Sequence, residues 1–444
     1  MLRLTTDMTP PSVEERRLIM ENNIARIGIP VDYDRLIEYR SYFSICSGEV
    51  VDDLLKFLKC TRLDSIRTSF KSWVKSNGLT VGFSSTTKGG LSISDSSLED
   101  FINTNYYGDE VTNKVKLFQT YLKYDKLRSS FEFALTFTKP CGLESEDGRR
   151  IALVKPDVVS QNTGRFAFQN PAFQNFPRFC KDIVVAPKGW TIISADSGQI
   201  EPKLIYGFYL PDKQIQELIK VYGDAYFAVL HYCTMPQADI NNGLMNFTKH
   251  EITDEMASMR QRLKTYGNGV MYGSTSNPDK DSLKQSYIDR IGKHYLRVQW
   301  QNRVEKELSE GKKVFKTIFG TPIDIYQSTK VRNALTEDER RMRLIHCAIN
   351  NPVQGSAADL MGFSLRATND LFRRKAPNSW ITKFVHDEGQ YCVYNDELDY
   401  VLEELQGHTA YNINDVVEIY NDPVFKRKIS YDMVPYSYHT AEAK

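Results

Sequence analysis

Trp190-Thr-Ile-Ile-Ser-Ala-Asp196-Ser-Gly-Gln-Ile-Glu201-Pro202 and Trp380-Ile-Thr-Lys-Phe-Val385-His-Asp387-Glu-Gly-Gln390-Tyr-Cys-Val393 decide the reading of this chain. Each holds a short β-type run, rich in branched and aromatic residues, with an aspartate at its end. In the first, Asp196 closes the run, and Ile200-Glu201-Pro202 opens a helix with proline near its first turn, where a missing N–H costs nothing. In the second, Asp387 sits at the tip of a tight hairpin between Val385 and Gln390. If the two runs are neighbours in one sheet, their carboxylates converge and form a hard-oxygen site suited to Mg²⁺. Each aspartate alone reads equally well as a turn or capping residue.

Between the acids, Arg260, Lys264, Asn268 and Tyr272 recur at steps of four, so on a helix they advance about 40° per step and share a face. Two cations on that face, with Gly269 and Gly273 beyond, can meet a triphosphate. A solvated helix face has the same pattern.

Composition sets the outer limits. The chain has 444 residues, 41% hydrophobic and 25% charged, a net charge of +1, and no apolar run long enough to span a bilayer. The start, Met1–Pro11, shows no secretory or transit-type segment, so a cytoplasmic location is expected (host cytoplasm for a viral protein), with no membrane partner. The seven cysteines include no C-x-x-C pair, which points away from a zinc site or a disulfide scaffold. One stretch is strongly basic: Lys56, Lys59, Arg62, Arg67, Lys71 and Lys75 stand against the single acid Asp64, with Phe57, Phe70 and Trp73 interleaved. It reads either as a phosphate grip or as a solvated helix face.

Ser12-Val-Glu-Glu15 is a capping-box pattern that predicts a helix to about Ala25, and Val111, Val115, Phe118 and Leu122 predict a long amphipathic helix over about 110–131. Residues 13–135 read as one mostly helical subdomain, 151–196 as β-rich, and 210–310 as helical again. The expected class is α+β, a small antiparallel sheet with large helical insertions.

Asp196-Ser-Gly-Gln-Ile-Glu201 resembles motif A (D-Y-S-Q-I-E) of the family A, DNA polymerase I-like, DNA polymerases. Arg260-x3-Lys264-x3-Asn268-Gly-x2-Tyr272-Gly273 resembles their motif B, and Val385-His-Asp-Glu388 is identical to the V-H-D-E of motif C. Thr163-Gly-Arg165 with Asn170-Pro-x-x-Gln174-Asn175, and Asn350-Asn-Pro-Val-Gln354-Gly-Ser-Ala-Ala-Asp359, are similar to two further family segments. The resemblance implies a right-hand polymerase fold: an extension at 1–12, thumb at 13–135, palm at 136–210 and 335–444, and fingers at 211–334. It implies two-metal addition of dNTPs to a primer 3′-hydroxyl, with Mg²⁺ or Mn²⁺ held by Asp196, Asp387, the Ser197 carbonyl and a supporting Glu388. Lys264 and Arg260 would hold the triphosphate, Lys264 also protonating the leaving group. Asn268, Tyr272, Glu201, Gln199 and Tyr226 would surround the nucleotide. Arg165, Gln174, Asn175, Asn350, Gln354 and His386 would meet primer-template DNA, as would Lys56, Lys59, Arg67 and Lys71 on the thumb.

Departures from the family pattern are specific. Ser197-Gly198 replaces an aromatic and a serine, Pro202-Lys203 replaces L-R, and Asn268 stands where an aromatic packs on the sugar. Tyr226 replaces a phosphate-binding His, and His346 replaces an Arg. With about a dozen residues ahead of the first thumb-like helix, a phage-like enzyme without intrinsic 3′→5′ proofreading is expected, relying on a separate exonuclease or replisome proteins. The rivals are a single-subunit RNA polymerase, against which Glu201 argues, and a non-catalytic DNA-binding replication subunit.

Overall fold

The computed structural model describes residues 9–81, 83, 90–104, 106–273, 280–334, 336–405 and 431–436. Residues 1–8 of the expected extension, and 335, 406–430 and 437–444 of the expected second palm segment, lie outside them. In chain order the elements are α1 (Val13–Arg26), β1 (Ile29–Asp32), α2 (Tyr33–Leu58), α3 (Ile66–Ser76), α4 (Asp95–Thr104), α5 (Asp109–Thr136), β2 (Pro140–Glu144), β3 (Arg150–Val154), β4 (Asp157–Ser160), β5 (Phe166–Gln169), β6 (Trp190–Ser197) and α6 (Ile200–Leu204). There follow α7 (Lys213–Tyr222), α8 (Ala225–Thr234), α9 (Gln237–Asn241), α10 (Asp254–Met271), α11 (Ser282–Tyr287), α12 (Tyr295–Ser309), β7 (Val314–Lys316), β8 (Pro322–Asp324), α13 (Thr329–Arg332), α14 (Glu337–Arg374), β9 (Trp380–Val385), β10 (Glu388–Tyr394), α15 (Leu398–Glu404) and β11 (Tyr431–Tyr436). The architecture is α+β, and two compact units divide it: residues 28–157 with 168–188, and residues 1–27 with 158–167 and 189–444.

The smaller unit is helical, with one three-stranded sheet of order β1-β3-β2. Asp32 ends β1 and starts α2: one of its oxygens accepts from Arg35 N at 2.8 Å and the other from Arg149 at 2.9 Å, so this fully buried carboxylate is satisfied on both sides. The apolar faces of α2, α3, α4 and α5 meet around Leu54, Phe70, Phe101, Val115 and Phe118, with Phe70 stacked on Phe118 at 3.7 Å between centroids. That core leaves Lys56, Lys59 and Lys75 exposed, and Arg67, also exposed, lies 3.5 Å from Asp125. Arg67 is thus partly neutralised within its own unit. Replacing Lys56, Lys59, Arg67 and Lys71 together by glutamine is expected to flatten the dependence of log K on log salt for duplex DNA by about three units, each free lysine counting for about 0.9 and Arg67 for less. A salt titration of DNA affinity checks this, and an unchanged slope returns the segment to a solvated face.

The larger unit is built on a four-stranded antiparallel sheet of order β11-β6-β10-β9. Gly389 shows how tightly β10 is packed, since a Cβ there would lie 2.2 Å from the Tyr391 hydroxyl. The 38-residue α14 runs beside the sheet with Pro352 inside it, and the Ser356 hydroxyl donates to the Pro352 carbonyl at 2.7 Å. Helix α1 begins as the capping-box pattern predicts, Ser12 Oγ accepting from Glu15 N at 3.0 Å. It belongs, however, to this unit and not with the helices of 33–136. Its polar side chains explain the difference: Asn23 donates to Asn369 at 3.1 Å, Glu15 pairs with Arg366 at 2.8 Å, and Arg16 reaches the Ala358 carbonyl and Asp359 of α14.

Arg16 and Asp359 are 2% and 1% exposed, and the second Asp359 oxygen accepts from Thr317 Oγ1 at 2.7 Å. Burial works against both charges, pushing Asp359 up and Arg16 down. The pair is therefore a poor source of net stability while intact, and costly to break. Asp359→Ala is expected to lower unfolding stability by about 3–5 kcal/mol through the stranded guanidinium. Urea unfolding of wild type and variant measures it.

Candidate active site

Strands β6 and β10 run antiparallel with Asp196 opposite Glu388 and Trp190 opposite Tyr394. The turn from β9 to β10 is only His386-Asp387, with Val385 paired to Glu388 and His386 at φ +59°, a left-handed conformation that a two-residue hairpin turn demands. Beyond the last pair, Ser197 N donates to the Asp387 carbonyl at 2.8 Å. Backbone register alone thus brings positions 196 and 387 to the same end of the same pair of strands. The side chain of Asp196 lies outside the described set.

Glu388 is held away from the tip. Its two oxygens accept from Ser194 Oγ at 2.6 Å and Lys383 Nζ at 2.5 Å, so its charge is balanced within the sheet. Lys383 carries no sequence signal of this role other than its place on the neighbouring strand.

One turn past Asp196, Glu201 on α6 accepts from Arg165 and, at 2.7 Å, from the Tyr272 hydroxyl just past α10. Arg165 and Glu201 are only 12% and 16% exposed, so this is a shielded ion pair. Burial, reinforced by the Glu201 charge, drives Tyr272 well above the usual phenol range and keeps its donor proton in place. Tyr226 is pushed up to about 12 by burial and then by Glu201, with Asp224 and Asp387 adding to the effect, so these carboxylates share one electrostatic neighbourhood. His386 is pushed down, first by burial and then by Arg165. It is therefore neutral near pH 7.

Helix α10 places its spaced residues on different partners. Arg260 donates through Nε and Nη2 to Asp224 Oδ2 at 2.9 and 2.6 Å, over the rings of Tyr226 and Phe227. Lys264 is exposed, and Asn268 lines a small cavity with Pro202, Tyr206, Tyr226, Met271 and Tyr287. Asp224 also caps α8 through Phe227 N at 2.9 Å and accepts from Gln199, whose own oxygen takes Ala225 N at 2.7 Å. Sequence reasoning missed Asp224, since an aspartate before a helix looks like an ordinary cap. It joins α8, α10 and the turn after β6.

The remaining expected residues divide between the units. Half-buried Gln354 lies on α14, as does Asn350, whose Oδ1 is buried with no hydrogen-bond partner. Gln174 belongs to the smaller unit and clasps its own chain, accepting from Phe168 N at 3.1 Å and donating to Phe168 O at 2.8 Å, with Asn175 exposed beside it. Its amide is spent on holding the Asn170–Gln174 loop.

Residues 75–417 match the family model described as DNA polymerase family A. The chain belongs to that family. It is 24% identical over 304 residues to DNA polymerase I of Pseudomonas aeruginosa, covering 66% of this chain and 30% of that protein. It is 26% identical over 221 residues to the thermostable DNA polymerase I of Thermus aquaticus, covering 46% and 23%. The chain thus spans less than a third of these two relatives. In structure it resembles the POL domain of Pol1 from M. smegmatis, solved in complex with DNA primer-template and dNTP, with a TM-score of 0.70, 18% identity, and coverage of 96% of this chain and 70% of that one. Among the described residues no helix is long and apolar enough to cross a membrane.

Proposed function

We propose that this chain is a DNA-directed DNA polymerase that adds dNTPs to a primer 3′-hydroxyl on a DNA template. The observation that carries the reading is the 2.8 Å hydrogen bond from Ser197 N to the Asp387 carbonyl, which ties the two aspartate-bearing strand ends together within reach of Glu201. Asp196 and Asp387, with the Ser197 carbonyl, are a hard-oxygen donor set that fits Mg²⁺, and Mn²⁺ as a substitute. When bound, such ions lower the cost of deprotonating a 3′-hydroxyl and of expelling pyrophosphate. Glu388, engaged by Ser194 and Lys383, holds the turn and is not assigned as a ligand.

Exposed Lys264 is free to approach a triphosphate, and Arg260 joins it by exchanging Asp224 for phosphate oxygens. Glu201, fixed by Arg165 and Tyr272, stands against a ribose 2′-hydroxyl; this favours DNA over RNA synthesis. Neutral His386, Arg165, Asn350 and Gln354 belong with the primer-template, where minor-groove acceptors are similar for all correct pairs. In the smaller unit, Lys56, Lys59 and Lys71 take duplex phosphates, as a thumb would.

These 444 residues carry no separate nuclease unit in this reading, because a polymerase domain accounts for almost their whole length. The purified chain is expected to leave a mismatched primer intact when dNTPs are withheld. Shortening of that primer, abolished by a substitution in this chain, would contradict the assignment. A phage-type source with an exonuclease supplied in trans agrees with that expectation. Primer extension with dNTPs and with rNTPs tests the reading as a whole and separates it from an RNA polymerase and from a non-catalytic DNA-binding subunit.

A further inference from the structure

Arg16 is buried on α1 with its charge turned toward α14. Its Nη1 donates to the Ala358 carbonyl and its Nη2 to Asp359 Oδ1 at 3.4 Å, while its Nε has no hydrogen-bond partner among the described residues. A pair so deeply buried adds little net stability, so its place in the fold needs another reason. The packing around the guanidinium gives one. A Cβ on Gly362 of α14 would lie 2.7 Å from Arg16 Cδ, and a Cβ on Gly164 would lie 3.0 Å from Arg16 Nη2 and 3.4 Å from Val13 Cγ2. The arginine therefore fills the space between α14 and the backbone of Gly164, which at φ +76° is in the left-handed region that glycine favours.

Gly164 belongs to the short turn, residues 161–165, that ends in Arg165. Gly164 N donates to the Gln161 carbonyl at 2.8 Å and Gln161 N to the Arg165 carbonyl at 2.7 Å, which closes the turn. Asn162 Nδ2 anchors it by donating to the Asp324 carbonyl at 3.0 Å, and Arg16 supports it at Gly164. Arg16, Gly164, Arg165 and His386 border one small cavity, so removing the Arg16 guanidinium opens room into which the turn can settle. Arg165 Nε is buried with no hydrogen-bond partner among the described residues, while Nη2 meets Glu201. The aim of that guanidinium thus depends on the turn that carries it.

We propose that Arg16 is a positioning residue for sugar selection: wedged between α14 and Gly164, it fixes the turn at 161–165 and so aims Arg165 at Glu201. The link to the sugar rests on the reading of Glu201 given under the proposed function. The link from Arg16 to Arg165 does not.

The test replaces both charges at once. Arg16→Met with Asp359→Asn strands neither partner and leaves an acceptor for Thr317 Oγ1, so the melting temperature should stay close to that of wild type. The rNTP:dNTP ratio of kcat/KM should nevertheless rise on the order of tenfold, as a small misplacement loosens the contact that holds Glu201. KM for the dNTP should change little, because Arg260 and Lys264 are untouched. Arg16→Lys, which keeps the charge but loses the planar fork, should fall between wild type and the double variant. An unchanged ratio in a folded, active double variant overturns the proposal.

A second readout needs no catalysis. Glu201→Gln is added to wild type and to the double variant, and the four urea-unfolding midpoints are compared. If Arg16 aims Arg165 at Glu201, the two losses overlap and the combined loss is smaller than their sum. Additive losses, as independent sites give, overturn the proposal. Wild-type primer extension with dNTPs is run alongside: its failure removes the polymerase reading, while the unfolding comparison still decides whether Arg16 supports Arg165.

Discussion

Asp387→Ala is expected to reduce the rate of nucleotide addition by a factor on the order of 10³ or more, with primer-template affinity changed less than about threefold. Asp387 is at the tip of a two-residue turn, its backbone carbonyl takes Ser197 N, and alanine leaves that hydrogen bond in place. The loss therefore falls on the carboxylate and not on the sheet. Asp196→Ala should match it, because a shared ion is lost when either side of its cage is removed, and the double variant should be little worse than either single one. By contrast, Glu388→Ala removes the partner of Lys383 and Ser194, so its damage should appear in stability first. Rapid-quench single-turnover rates beside equilibrium DNA binding distinguish these outcomes. An Asp387→Ala protein that extends primers at near-normal rate removes the catalytic assignment.

The second large effect concerns sugar selection. Glu201→Ala opens the space beside α6 and should raise the rNTP:dNTP ratio of kcat/KM by on the order of 10², the scale at which a cavity of a few atoms discriminates between substrates. The substitution also leaves Arg165, 12% exposed, without its ion-pair partner, so absolute activity should fall as well. Glu201→Gln separates the two contributions. It keeps the volume and an acceptor for the Tyr272 hydroxyl, so exclusion of ribose should persist while the Arg165 contact weakens. A ratio that rises equally in both variants would mean that charge, not bulk, controls the sugar.

Much of this site is legible in the sequence because it depends on register and short-range geometry. A β-type run ending in Asp196, and a hairpin with Asp387 at its tip, are local patterns, and antiparallel pairing of the two then fixes the rest. The long helix at 109–136 and the Ser12 cap are legible for the same reason. What was not legible is which partner a helix or charge would find. Ser12 marks where α1 begins, but nothing local tells that Arg16, within Glu14-Glu15-Arg16-Arg17, is the one cation of that run to be buried against α14. Arg260 and Lys264 look alike at i and i+4, yet only Arg260 meets Asp224, 36 residues away. Glu388 looks like a third acid of the cluster until Lys383, on the next strand, is seen to neutralise it.

The most direct measurement is single-nucleotide addition by the purified wild-type chain on a labelled primer-template, in Mg²⁺, with each dNTP and each rNTP offered alone. The account predicts extension by one residue with the dNTP complementary to the templating base, little with the other three or with any rNTP, and none in EDTA. Tight binding of the primer-template without any extension in Mg²⁺ or Mn²⁺ would contradict it and leave a DNA-binding protein on a polymerase fold.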